Sequence, residues 1–393
     1  MVKQAEVLSQ QLLSIFNYLH EHPEISWQEH ETTDYLARFL QKLGLSPVRL
    51  KGCTGLYVDI GQGIPRVGLR ADIDALWQEV NGIMRANHSC GHDGHMTMAL
   101  GAILLLTEQL QLHGAVRVIF QPAEEKGGGA LKVIEQGIVD HLHYLFGVHV
   151  RPVQEVQDGY YAPALFHGAS RSFIGEIVGE DAHAARPHLG NNAIEVGGAI
   201  IQELSLIHHD PMVPASYKMT SFHAGGDATN IIPGKATFAI DVRAQRNHVM
   251  ESITEQILRR IAHIALLHDV KIHLTETANL VAAEVHPEAE QILAQAICDE
   301  VGTQFLNAAV HTPGGEDFHY YAVKRPYIKA SMLGVGCGLF PGLHHPDMSF
   351  NVKRLVTGAQ ILARAVNLAL QKVTIGEDEK YVRISDDKGI DYN

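Results

Sequence analysis

The sequence predicts an α/β protein: a doubly wound, mostly parallel sheet into which a second, ferredoxin-like α+β segment is inserted. Three observations predict it. Between residues 56 and 149 short apolar runs alternate with helix-like stretches, the order that wraps helices around a parallel sheet. From about 170 the order becomes strand, helix, strand, strand, helix, strand, a βαββαβ pattern. After about 282 a helix and an apolar strand resume the first texture. A chain of 393 residues is long for one hydrophobic core and fits two domains. The expected division assigns residues 1–168 and 282–373 to the first domain and 169–281 to the insertion, with an acidic tail over 374–393.

Taken in order, residues 3–20 place Val7, Leu12, Leu13, Phe16 and Leu19 on an amphipathic helix that breaks at His22-Pro23. A second helix over 28–43 ends at Gly44. Leu56–Ile60 and Val67–Ala71 read as short strands around the turn Gly61-Gln62-Gly63-Ile64-Pro65, and the second stops at Asp72-Ile73-Asp74. The apolar run from Met96 predicts a helix over 96–110. Val116–Phe120 is a buried strand that ends in Gln121-Pro122-Ala123-Glu124-Glu125. A glycine turn and a helix over 130–136 follow, then the strand Tyr144–Val148 ending at His149. In the insertion, strands are expected at 171–178, 216–224, 235–243 and 270–275, with helices at 191–208 and 249–267. A helix over 287–300, a strand over 328–335, a loop carrying His344 and His345, and a helix over 353–371 complete the fold.

Composition narrows the function classes. With a net charge of -13, nucleic acid and anionic membrane surfaces are poor partners. No apolar run reaches the length of a membrane span, and residues 1–20 lack the apolar core of a secretion signal. Four cysteines, Cys53, Cys90, Cys298 and Cys337, lie far apart, which argues for a reduced cytoplasmic protein rather than a disulfide scaffold. Histidine is abundant at 25 residues, so each one needs its own case.

The strongest case is Asn87-His88-Ser89-Cys90-Gly91-His92-Asp93-Gly94-His95. Thiolate and imidazole together suit zinc and similar transition metals, and a turn at Gly91 would aim Cys90 and His92 at one ion. The alternative is an ordinary helix start capped by Asp93. Placement favours the first reading. Asp72, Glu124, Glu125 and His149 each fall just past the C-terminal end of an expected strand, where open α/β sheets bind ligands. A redox role for Cys90 is disfavoured, because no resolving cysteine lies near it in sequence.

Nine stretches in order resemble the aminoacylase/carboxypeptidase-type di-metal amidohydrolases (clan MH). They are His20–Ser26, Leu69–Leu76, His88–His95, Gln121–Glu125, Gly147–His149, Ala182–His188, Asn230–Pro233, Gly315–Phe318 and Leu343–Pro346. The branch resembled includes hippurate hydrolase and the plant hydrolases of indole-acetyl amino-acid conjugates. Trp77, where proline is usual, is similar to the AmhX-like amidohydrolases.

The resemblance implies two divalent ions held by Cys90, His92, Glu125, His149 and His344, zinc by default, with manganese, nickel or cobalt as other occupants. It implies Glu124 as general base, Asp72 as the acid that orients a metal-ligating group, and His183 as the group that stabilises an oxyanion. Asn230, Arg243 and His188 are implied to hold substrate, and the inserted domain to act as a lid and to form a homodimer. The implied substrate is an N-acyl amino acid or a related conjugate.

Blander readings stand beside several of these. Glu124 would also offset the dipole of the helix at 130–136, and Arg243 would form a surface salt bridge with Asp241. Asp93 and His95 are assigned to capping and packing, and Arg70 stands where other branches carry a metal histidine. Two departures from the family pattern are the acidic loop Glu180-Asp181-Ala182, in place of a glycine pair, and Gly315 in place of serine. The competing functions are a dipeptidase or exopeptidase on the same scaffold, and a non-catalytic small-molecule-binding protein.

Overall fold

The computed structural model describes residues 2–108 and 112–386. It comprises two compact units. The larger runs to Phe166 and takes in Glu284–Val310 and the described residues from Asp317 on; the smaller comprises His167–Ala283 and His311–Glu316.

Among the described residues, seven strands form the sheet of the larger unit. Their order is Val48–Arg49, Leu56–Gly61, Ala115–Gln121, Val67–Asp72, Tyr144–Pro152, Lys329–Leu339 and Tyr161–Ala162. The four strands from Ala115–Gln121 to Lys329–Leu339 are parallel, and the outer ones pair antiparallel. All of Val67–Asp72 is buried, as expected of a parallel strand covered on both faces. Helices Val2–Glu21, His92–Thr107, Pro287–Val301 and Arg354–Asp386 contribute to one continuous core with Val58, Leu69, Phe120, Phe146 and Leu333. His92–Thr107 is apolar nearly all round and buried to match.

The smaller unit holds a four-stranded antiparallel sheet in the order Ala215–Ala224, Lys235–Ala244, Ala169–Val178, Lys271–Leu280. Numbered along the chain this is 2-3-1-4, the ferredoxin-like arrangement. Alternation decides its faces. Phe173, Ile177, Phe238 and Ile240 point to a core shared with Ile200, Ile253 and Ile257 from helices Ala193–Ser205 and Asn247–Leu267. Asn192 caps the first helix by accepting the Ile194 N–H.

Local features depart from the sequence expectation. Leu76–Val80 and Ile83–Asn87 form a hairpin where no strand was expected. The helix expected over 96–110 begins at His92 and is assigned to Thr107, and residues 109–111 lie outside the described residues. The final helix continues past 371 to Asp386, and residues 387–393 of the acidic tail lie outside the described residues. Among the described residues no helix is long and apolar enough to cross a membrane.

A candidate metal centre at the strand ends

Parallel pairing brings the C-terminal ends of Val67–Asp72 and Ala115–Gln121 side by side, with Asp72 opposite Gln121. Past these ends the chain turns into Asp74 and into the 3-10 turn that begins at Glu124 and carries Glu125. His149 lies within its strand, which runs on to Pro152, rather than at its end. Cys90 and His92 flank Gly91, whose φ of 82° lies in the left-handed region. A Cβ there would also meet Val150 Cγ2 at 2.4 Å, so the turn between the two donors requires glycine. Gly91, not Asp93, therefore starts the helix; Asp93 lies within its first turn and pairs with His20 at 2.7 Å.

Three groups of donor atoms converge here: Cys90 with His92 and His149, Cys90 with Glu125 and His344, and His92 with Glu124 and Glu125. Within each group the atoms lie within 4.8 Å of one another, and Cys90 belongs to two of them. Cys90 Sγ is 3.6 Å from His149 Nε2, and His344 Nε2 is 3.5 Å from Glu125 Oε1. The backbone sets both buried imidazole tautomers. His92 Nδ1 donates to the Asp74 carbonyl at 2.9 Å, and His149 Nδ1 donates to the Val150 carbonyl at 2.6 Å. Each Nε2 is thereby left as a lone-pair donor, the state a metal requires.

Electrostatics test whether the donors fit a cation. His92 Nε2 and Glu125 Oε1 are buried, lack a hydrogen-bond partner among the described residues, and face each other at 3.9 Å. Burial pushes the Glu125 carboxyl up to about 7 and holds the Cys90 thiol well above its ordinary value. Burial works against charge on His92 as well, yet Asp72 and Cys90 raise it well above the usual imidazole value. Acids that resist ionisation beside a histidine that attracts a proton mark a site short of positive charge. The donor set fits a divalent cation.

A buried polar network supports the cluster. Arg70 is fully buried, and it donates to Asp72 at 2.7 Å, to Asp317 at 2.8 Å and to Gln121 at 2.8 Å. Asp72 also accepts His95 Nδ1–H at 2.6 Å, while His95 Nε2 accepts the Val150 N–H at 2.9 Å, so both nitrogens of His95 are committed. Burial opposes the charge on Asp72, but His92, His95 and Arg70 hold its carboxyl well below the usual range. Glu124 Oε1 accepts the Asp317 N–H at 3.4 Å.

Sequence reasoning assigned no role to Asp74 or Glu29. The signal for Asp74 was the two-residue spacing from Asp72, which places both on one side of an extended chain. Glu29, which accepts the Ala123 N–H at 2.8 Å, carried no such signal, since that partner lies 94 residues away.

The other candidates belong to the smaller unit. His183 lies on the short strand Ala182–His183 paired with Ile231–Ile232, and the Asn230 carbonyl accepts the Ala184 N–H at 2.9 Å, so His183 and Asn230 are neighbours. His188 is exposed on the turn Pro187–Leu189. Arg243 donates to Asp241 at 2.9 Å, forming the salt bridge considered as its alternative role. In the acidic loop, Asp181 accepts the Gly234 N–H at 2.6 Å, a structural use for that carboxylate.

Residues 68–368 match the family described as peptidase family M20/M25/M40. The N-acetyl-L-cysteine deacetylase of Bacillus subtilis is 33% identical over 378 residues, covering 90% of this chain and 87% of that protein. A longer Rhodococcus jostii relative, provisionally named a glutamate–cysteine ligase, is 30% identical over 89% of this chain, which spans only 46% of it. A solved structure from methicillin resistant Staphylococcus aureus superposes with a TM-score of 0.84 at 27% identity, covering 94% of this chain and 99% of that one. A dinuclear metal binding peptidase of the M20 family from Bacillus subtilis gives 0.78 at 27% identity, covering 93% and 99%.

Proposed function

Because the chain belongs to peptidase family M20/M25/M40, we propose that it is a metal-dependent amidohydrolase that cleaves N-acyl amino acids or related conjugates. The observation that carries this reading is the convergence of Cys90, His92, Glu125, His149 and His344 on overlapping donor groups with Glu124 beside them. In this reading those five residues would hold two divalent ions, and zinc is the default for thiolate with imidazole. Manganese, nickel and cobalt are the other candidates. Such ions supply Lewis acidity toward an amide carbonyl and a lowered pKa for water.

The chain's own groups do the rest. Glu124 takes the proton of the attacking water and returns it to the leaving amine. Asp72 and Asp74 fix the surroundings of His92. His183 stabilises the oxyanion, and Asn230 and His188 hold substrate. Arg243 grips the substrate carboxylate after exchanging its Asp241 partner, a bidentate match that guanidinium favours. The resembled branch, hippurate hydrolase with the AmhX-like enzymes, and the deacetylase relative both point to an acyl group on an amino acid. A homodimer built through the smaller unit and a cytoplasmic setting, suited to four free thiols, complete the proposal.

Glu124→Gln is the direct test. General acid–base catalysis is worth about 10²–10⁴-fold, so kcat should fall by that factor while metal content stays at the wild-type value. A variant that retains full turnover would contradict the assignment of the base.

A further inference from the structure

Two buried carboxylates outside the donor set converge on one short piece of backbone. Glu29 is fully buried, and its Oε1 accepts the Ala123 N–H at 2.8 Å while Oε2 accepts the Thr54 hydroxyl at 2.5 Å. Asp74, also buried, accepts the Glu124 N–H on Oδ1 and the Glu125 N–H on Oδ2, each at 3.1 Å. Ser26 donates to Oδ2 at 2.6 Å, and His92 Nδ1 lies 3.3 Å from Oδ1 as well as donating to the Asp74 carbonyl. Three consecutive amides, 123 to 125, are therefore held by two carboxyl groups from elsewhere in the chain. Ala123 adopts φ 51°, a left-handed conformation that an alanine keeps only where its surroundings hold it.

We infer that Glu29 and Asp74 are positioning residues that grip the Ala123–Glu125 backbone and so set the placement of Glu124 and Glu125 together. The clamp rests on the proposed metal centre and makes both glutamates leave one turn in fixed register. Backbone N–H groups donate three bonds to these two side chains, two of them to the same Asp74 carboxyl, which suits a clamp on a strained turn. Asp74 also orients His92, so it links the base, one carboxylate donor and one imidazole donor.

The test titrates the metal-free, full-length chain with cobalt(II) alone and follows the thiolate and visible bands of the bound ion. Wild type should bind cobalt with a thiolate band. Asp74→Asn places an NH2 group against backbone donors, and loss of an outer partner of this kind costs about 10–100-fold in metal affinity. The visible spectrum should shift, and kcat should fall more than KM changes. Glu29→Gln keeps one acceptor but cannot serve both Ala123 and Thr54 as before, so it should show a smaller change in the same direction. Wild-type affinity and an unshifted spectrum in both variants would overturn the clamp. Should Asp74→Asn fail to fold, Glu29→Gln decides by the same criterion. Wild-type protein that takes up no cobalt would overturn the metal reading itself, and the clamp with it.

Discussion

Arg70 has no exposed surface, and its guanidinium joins two fully buried carboxylates, Asp72 and Asp317. Arg70→Met would leave both without that partner. Removing one member of a buried ion pair costs about 3–5 kcal/mol, and urea unfolding of the variant should show a loss of that order. A loss below about 1 kcal/mol would mean that the two acids find other partners. His319 gives a pH prediction at the same scale. Burial, with Arg70 nearby, lowers its pKa to about 3 from the ordinary 6.5. The unfolded chain thus binds a proton as pH falls below 6.5, while the folded chain does not until about 3. This contribution to stability is lost progressively between those values, and one site with these pKa values accounts for about 2 kcal/mol by pH 5. His319→Gln should flatten the fall in stability between pH 7 and pH 5 by about that amount, measured as the difference from wild type.

The Glu124–Glu125 turn depends on a close approach. A Cβ on Gly129 would lie 1.7 Å from the Pro122 carbonyl oxygen and 2.7 Å from Gln121 Nε2. Gly129→Ala should therefore displace the turn, lowering metal affinity and stability together, as calorimetry and metal titration would show. Unchanged values for both would mean the backbone yields at no cost. At this scale much was legible. The near-continuous apolar runs of Val67–Ala71 and Val116–Phe120 mark buried parallel strands, and the alternation in Thr237–Val242 marks a half-covered antiparallel one. The missed hairpin had one available signal, Asn81-Gly82, with φ of 52° and 78°. Positive φ at both central residues is what a two-residue hairpin turn demands, and Asn-Gly supplies it. Its strands escaped notice because Trp77, Ile83 and Met84 are exposed, so no buried face imposes alternation.

At the scale of the whole molecule, the donors come from segments as far apart as Cys90 and His344, and only folding assembles them. Motif order made most of the donor set legible, since strand ends collect ligands in this architecture. The supporting contacts were not legible. The Glu29 bond to Ala123 spans 94 residues, and neither residue type announces it. Metal binding should also stabilise the larger unit. At a free-metal concentration 100 times Kd, linkage contributes about 2.7 kcal/mol, so chelation should lower the melting temperature, and metal addition should restore it. A melting curve indifferent to chelator would contradict that coupling.

The most direct measurement pairs elemental analysis of the purified protein with hydrolysis of a panel of N-acyl amino acids before and after chelation. About two divalent ions per chain, with cleavage that is lost on chelation and restored by metal, is the predicted result. Protein that holds no metal and cleaves no panel member with zinc, manganese, nickel or cobalt supplied would contradict it.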